Sequence, residues 1–360
     1  MTNSQILPAV SIKTRILFSF LVVILTLSVS IALLGYYVTK RDIFERAERK
    51  VLSDLKVAHM VYTAEIERIG QGLRLVSRDG DIDELRRRLD LHYLQYVPAS
   101  EFANLHSSLA RAAATEGRAL GGTRLVSSEE LDSMPGDLAG KRPIPVKATP
   151  MAGPTDREVL NRAMAKEYAV PRVNDAGAVE GVFYGGRLIN RDYTFVDRIR
   201  DTVYGRELYR GKPVGTVTIF QDDVRISTNV LDENGQRAIG TRVSEQVYKK
   251  VVEEGQVWHD RAFVVTDWYK TAYEPIRNIE GSVIGVLYVG TLEAPFHDMA
   301  RQILLIFLAA VGAVTLIAVL FSFVLAGAIS KPLTQVVYAS ECLASGDWGC
   351  QVNTKTSIKD

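Results

Sequence analysis

The chain has 360 residues, with 43 Lys and Arg against 42 Asp and Glu, for a net charge of +1. That balance excludes the basic surplus or basic stripe of a nucleic-acid binder. The two cysteines, Cys342 and Cys350, stand near the end, so everything before them must be held by packing rather than by a disulfide framework.

In chain order, residues 1–15 are a short leader carrying Lys13 and Arg15, expected on the cytoplasmic side. Residues 16–38 hold no charge and exceed the roughly 20 residues that cross a bilayer as helix. Tyr36, Tyr37, Lys40 and Arg41 follow as an interfacial aromatic and basic anchor, which favours a retained span over a cleaved signal. Residues 39–78 read as one long extracytoplasmic helix, because Val51, Leu55, Ala58, Tyr62, Ile66, Ile69, Leu73 and Val76 recur every three or four positions. A second helical patch is expected over 81–97, with Asp81 as its cap and Leu85, Leu89 and Leu91 inward. Five of the twelve prolines fall between Pro135 and Pro154, which predicts loop. Short β-rich runs follow at 214–220, 224–230, 261–265, 268–275 and 283–291, joined by polar links that suit an antiparallel meander. One helix interrupts them, capped by Ser244, with Val247, Val251 and Val252 inward and Gly255 stopping it. Residues 303–329 form a second uncharged span.

A repeat organises the large segment between the spans. Residues 171–188 read PRVNDAGAVEGVFYGGRL and residues 275–292 read PIRNIEGSVIGVLYVGTL, nine identities at a constant offset of 104. Asn174 and Asn278, each followed by Gly177 or Gly281, predict hairpin turns. The Val-x-Gly-Val-x-Tyr runs are the returning strands, their glycines marking close approach of neighbouring atoms. Two copies of one α+β unit are therefore expected.

This repeated unit, ending in Gly-x-Val-x-Gly-Val-x-Tyr-x-Gly, resembles the extracytoplasmic Cache domains of bacterial receptors. Residues 215–221 (GTVTIFQ), 225–229 (RISTN) and Asp267-Trp268-Tyr269 before Tyr273-Glu274-Pro275 carry the likeness in the second copy. The two copies are similar to the fused double-Cache arrangement over roughly 40–295. The resemblance implies tandem PAS-like antiparallel sheets on a long helix, an α+β fold, with a first unit over 79–200 and a second over 201–298. Residues 330–360 resemble the start of a HAMP relay, truncated at its second helix: Pro332, the heptad positions Ile329, Leu333, Val336, Ser340 and Leu343, and a Gly346-Asp347 turn. That likeness implies a homodimer, in which the helical stripe is buried.

No catalytic constellation is found. Residues 205–212 (GRELYRGK) have the wrong glycine spacing for a P-loop, with Pro213 in place of the hydroxyl residue. The histidines at 59, 92, 106, 259 and 297 are scattered, so no metal and no cofactor is expected. Recognition of a small molecule, with an organic acid fitting an arginine fork, is assigned to Arg225, Ser227, Trp258, Arg261, Asp267, Trp268, Tyr269, Tyr273 and Tyr288. Thr149, Tyr184 and Arg187 are the weaker candidates of the first unit. The bland alternative places Arg225 in a pair with Asp223 or Asp267, and Trp268 and Tyr288 in the core. The expected function is the sensing and signalling portion of a plasma-membrane receptor with its sensor outside. Its output is most simply a two-component histidine kinase that hands phosphate to a response regulator, the alternative being a methyl-accepting chemotaxis receptor. An anchored enzyme or transporter accessory protein is the remote reading.

Overall fold

A computed structural model describes residues 12–75, 81–134, 138, 140 and 143–345. They form two units, residues 45–295 and residues 12–44 with 296–345.

Within the larger unit, helix α1 (Ile12–Arg74) contributes its second half. The stripe Val51, Leu55, Ala58, Tyr62, Ile66, Ile69 and Leu73 is buried as its spacing requires; Val76 lies outside the described residues. Helix α2 (Ile82–Arg88) starts at Asp81, whose side chain accepts from the Asp83 and Glu84 amides. It ends early. The expected helix over 81–97 is corrected: the chain turns at Asp90 (φ 53°), and strand β1 (Tyr93–Pro98) follows. Tyr-Leu-Gln-Tyr-Val favours a pleated surface, and six consecutive residues pair with a later strand.

Helix α3 (Ser108–Glu116) is capped by the Ser107 hydroxyl and stopped by Gly117 at φ 64°. Strand β2 (Leu120–Val126), helix α4 (Ser128–Ser133), and the long strands β3 (Ala163–Val173) and β4 (Val179–Leu188) complete the first sheet, in the order β1-β4-β3-β2. Helix α5 (Tyr193–Tyr204), capped by Asp192, leads to β5 (Gly215–Gln221) and β6 (Val224–Thr228). Helix α6 (Glu245–Val247) continues into a π-helical turn, Tyr248–Glu253. Strands β7 (Trp258–Val264), β8 (Asp267–Arg277) and β9 (Val283–Leu292) follow, and the second sheet has the order β6-β5-β9-β8-β7, antiparallel throughout.

The repeat is visible as two hairpins of matching register. Ala165 pairs with Leu188 and Tyr269 with Leu292; the bulges fall at Arg172/Val173 and at Ile276/Arg277, again 104 apart. Asn174 accepts from the Ala178 amide and Asn278 from the Ser282 amide, while Gly177 and Gly281 take φ 80° and 83°. A left-handed turn residue with no Cβ is what such a hairpin needs. One face of each sheet packs on α1 and α5 in a shared core. The opposite faces hold separate clusters, the first under α3 and the second under α6 and its π-turn.

The other unit is helical. Its part of α1, together with helix α7 (Ala294–Ala344), supplies two stretches long and apolar enough to cross a membrane, with mean hydropathies of 2.7 and 3.0. Ser28 and Thr315 share a hydrogen bond of 2.7 Å between them. Helix α7 passes through Pro332 and keeps Leu333, Val336 and Leu343 exposed. Gly346 and Asp347 lie outside the described residues.

Candidate functional site

Strand alternation decides which side chains share the second sheet's inner face, the one under α6. Thr216, Thr218 and Phe220 come from β5, Tyr269, Thr271 and Tyr273 from β8, and Val286, Tyr288 and Leu292 from β9. Trp258 stands opposite Tyr273 at the start of β7. The rings interlock: Tyr273 and Tyr288 have centroids 4.8 Å apart, Trp258 and Tyr273 5.4 Å, and Phe220 meets Tyr288 edge-on at 6.4 Å. Gly290 is required here, because a Cβ would fall 2.2 Å from the Tyr288 hydroxyl. Hydroxyls complete the wall. Tyr288 shares a hydrogen bond with Thr216 at 3.0 Å, and Thr218 with Thr228 at 2.6 Å.

Arg225 enters this face from β6, opposite Phe220, with its guanidinium 5.3 Å from the Phe220 ring centroid. It is only 6% exposed. Its Nη1 donates to Thr241 Oγ1 at 2.9 Å, and its Nε has no partner among the described residues. Among the described residues no carboxylate pairs with it. The two acids named beside it in the sequence are engaged elsewhere: Asp223 with Arg242 at 2.6 Å, Asp267 with Lys212 at 2.7 Å. Burial pushes the Arg225 pKa down, with the phenols of Tyr288 and Tyr273 opposing it. Burial likewise lifts Tyr273 to about 12 and Tyr288 well above the ordinary phenol value. Both rings are neutral donors at neutral pH.

The nine residues assigned from sequence therefore separate. Arg225, Trp258, Tyr269, Tyr273 and Tyr288 share the inner face. Ser227 does not, because a bulge between Arg225 and Ser227 turns it toward α5, where its hydroxyl donates to the Asp192 carbonyl at 2.8 Å. Arg261 and Trp268 lie on the opposite side of β7 and β8; the guanidinium sits 3.9 Å from the indole centroid and pairs with Glu293 at 2.6 Å. Asp267 opens β8 at the rim. In the first unit, Tyr184 faces inward and donates to Gln95, whereas Arg187 pairs with Asp90 and Asp192, and Thr149 accepts from the Arg242 amide.

Sequence reasoning missed a second polar group. Lys166 and Glu167 point to opposite sides of β3 and are both fully buried. Lys166 Nζ lies 3.2 Å from the Phe195 ring centroid and 3.9 Å from Asp192. Glu167 receives Tyr93 and Arg124, each at 2.6 Å. The available signal was a Lys-Glu pair inside a run of alternating alanines. Among the described residues no group of His, Cys, Asp and Glu is placed to hold a metal ion.

Residues 187–303 match the family described as single cache domain 3, so the second sheet with its cover is a Cache domain. No curated protein matches the chain. Among solved structures it is similar to the ligand-binding domain of the Pseudomonas aeruginosa amino acid chemoreceptor PctB in complex with L-Arg: 10% identity over 71% of this chain and 97% of that one, TM-score 0.33. The periplasmic domain of Vibrio cholerae LuxQ gives 11%, 68% and 99%, TM-score 0.32. The ligand-binding domain of Pseudomonas fluorescens CtaA with L-isoleucine gives 9%, 74% and 98%, TM-score 0.35.

Proposed function

We propose that this Cache-bearing chain is the sensing and membrane-spanning portion of a bacterial receptor. In this reading the unit of residues 45–295 stands outside the plasma membrane and binds a small carboxylate at Arg225. One observation carries the assignment of ligand class: a guanidinium buried on the inner face of the second sheet with no acid among the described residues to answer it. An unpaired buried charge costs several kcal/mol, and a bound carboxylate removes that cost while forming charge-assisted hydrogen bonds. The hydroxyls of Thr218, Thr228 and Tyr288 supply polar contacts, and Tyr273 and Phe220 an apolar wall. Hydropathy supports the membrane placement, and the heptad stripe of α7 supports a homodimeric coupler.

The test is a thermal-shift screen of the full chain in lipid nanodiscs against mono- and dicarboxylates, followed by calorimetric titration of wild type, Arg225→Met and Arg261→Ala. Each charged hydrogen bond is worth about 1.5–3 kcal/mol, so Arg225→Met should weaken binding by roughly tenfold or more. Arg261→Ala, on the other face, should leave affinity unchanged. Retained affinity in Arg225→Met sinks the assignment. A histidine-kinase output acting through a response regulator rests on the HAMP-like stretch alone. A ligand-dependent phosphotransfer assay on the full gene product tests it, and a product that lacks phosphotransfer overturns it.

A further inference from the structure

The first sheet turns toward α3 a face that alternation would make apolar. Ala163, Ala165 and Ala169 of β3 point there, and Glu167 stands among them. Its carboxylate accepts from the Tyr93 hydroxyl, from Arg124 Nε and from the Ser107 hydroxyl. Three donors and one adjacent positive charge already satisfy it. Arg124 then directs its two remaining nitrogens away from Glu167, onto both oxygens of Glu130, at 2.8 and 2.5 Å. That forked contact is how a guanidinium receives a free carboxylate.

Glu130 does not belong to the sheet. It comes from α4, a six-residue helix laid beside it. Arg124, Glu130 and Glu167 are 5%, 7% and 0% exposed, so one buried positive charge faces two buried carboxylates. Glu167 alone would neutralise Arg124; Glu130 is surplus, and a surplus buried charge is costly. The other copy of the repeat shows the converse. There the position matching Glu167 is Thr271, and the inner-face arginine, Arg225, meets no carboxylate among the described residues.

We infer that the inner face of the first sheet is a second carboxylate-binding site, anchored by Arg124 and filled in cis by Glu130 in the place of a small organic acid. The inference does not depend on the reading of Arg225.

Glu130→Ala deletes a CH2-carboxylate, a fragment the size of acetate, and leaves Arg124 Nη1 and Nη2 facing the gap. The full chain in nanodiscs is melted in acetate and in acetamide, its neutral isostere, with wild type as the control for acetate acting at Arg225. Glu130→Ala should melt below wild type. Acetate should restore at least half of that loss beyond any wild-type response, and acetamide should not. Adding Arg124→Met should abolish the rescue. Folded Glu130→Ala that ignores acetate, or responds equally to both solutes, overturns the inference. If Glu130→Ala folds only when prepared in acetate, the rescue is shown directly. If it folds in neither solute, Glu130→Gln decides: it keeps the shape and drops the surplus charge, and should melt close to wild type, whereas its collapse would make Glu130 a structural ion-pair partner and nothing more.

Discussion

Lys166→Met should make this protein more stable at neutral pH and indifferent in alkali. Lys166 is fully buried on the α1 face of β3, its Nζ over the Phe195 ring and without a hydrogen bond among the described residues. Burial drives its pKa from 10.5 to about 7, against the pull of Asp192 and Glu65 and with Arg187 and Arg198 adding to the fall. Between about pH 7 and 10.5 the unfolded chain therefore holds a proton that the folded chain does not. Stability must rise with pH across that window, and the penalty is complete below pH 7. At about 1.4 kcal/mol per pH unit, the gap amounts to at most roughly 4 kcal/mol against the fold at pH 7. Methionine fits the same volume without the charge, and Asp192 keeps Arg187 at 3.0 Å and Thr194 at 2.7 Å. Urea unfolding of the full chain in detergent, followed by tryptophan fluorescence from pH 6 to 10, measures both. Lys166→Met should gain roughly 2–4 kcal/mol at pH 7, and the two curves should converge toward pH 10. Parallel pH profiles, or a loss that does not change with pH, would refute the argument.

Gly285→Ala should cost roughly 1–3 kcal/mol in the same urea assay, because the added Cβ falls 2.3 Å from the Phe220 carbonyl oxygen, a backbone atom that cannot step aside. Asn278→Ala should cost about 1 kcal/mol, since it removes the acceptor of the Ser282 amide bond at 2.8 Å; an unchanged midpoint would mean that the turn holds itself without the side chain.

The hairpins were legible because their cause is local: an Asn, a Gly three residues on, and a pair of alternating strands. The buried stripe of α1 was legible for the same reason, since 3.6-residue spacing needs no partner to be seen. Strand β1 was not, because Leu91, Leu94 and the tyrosines fit either period, and only pairing with β4 selects the strand. Strand β2 was missed at Gly121-Gly122, which weakens any strand signal and which Tyr168 and Leu109 occupy from the neighbouring core. Within the candidate site, alternation alone puts Arg225 and Ser227 together, and the bulge between them undoes it. Arg261 drew attention as a charge in a strand. The face it takes follows from β7 beginning at Trp258 and pairing residue by residue with β8, and cross-strand register is not written in one strand's sequence.

The matched bulges of the two hairpins carry a consequence for how such a chain can diverge. Adding or removing one residue within β3, β4, β8 or β9 would slide a strand by a single pleat and exchange its two faces. Inner-face residues such as Glu167 or Tyr288 would then point at α1. These hairpins are locked in length, and evolution can alter them only by exchanging one residue for another. Changes of length must collect elsewhere, above all in the proline-rich connection before Val159. Relatives of this chain should therefore keep the spacing of 104 only where the stretch between β4 and β8 happens to be equally long, while the distance from each turn asparagine to its bulge stays fixed.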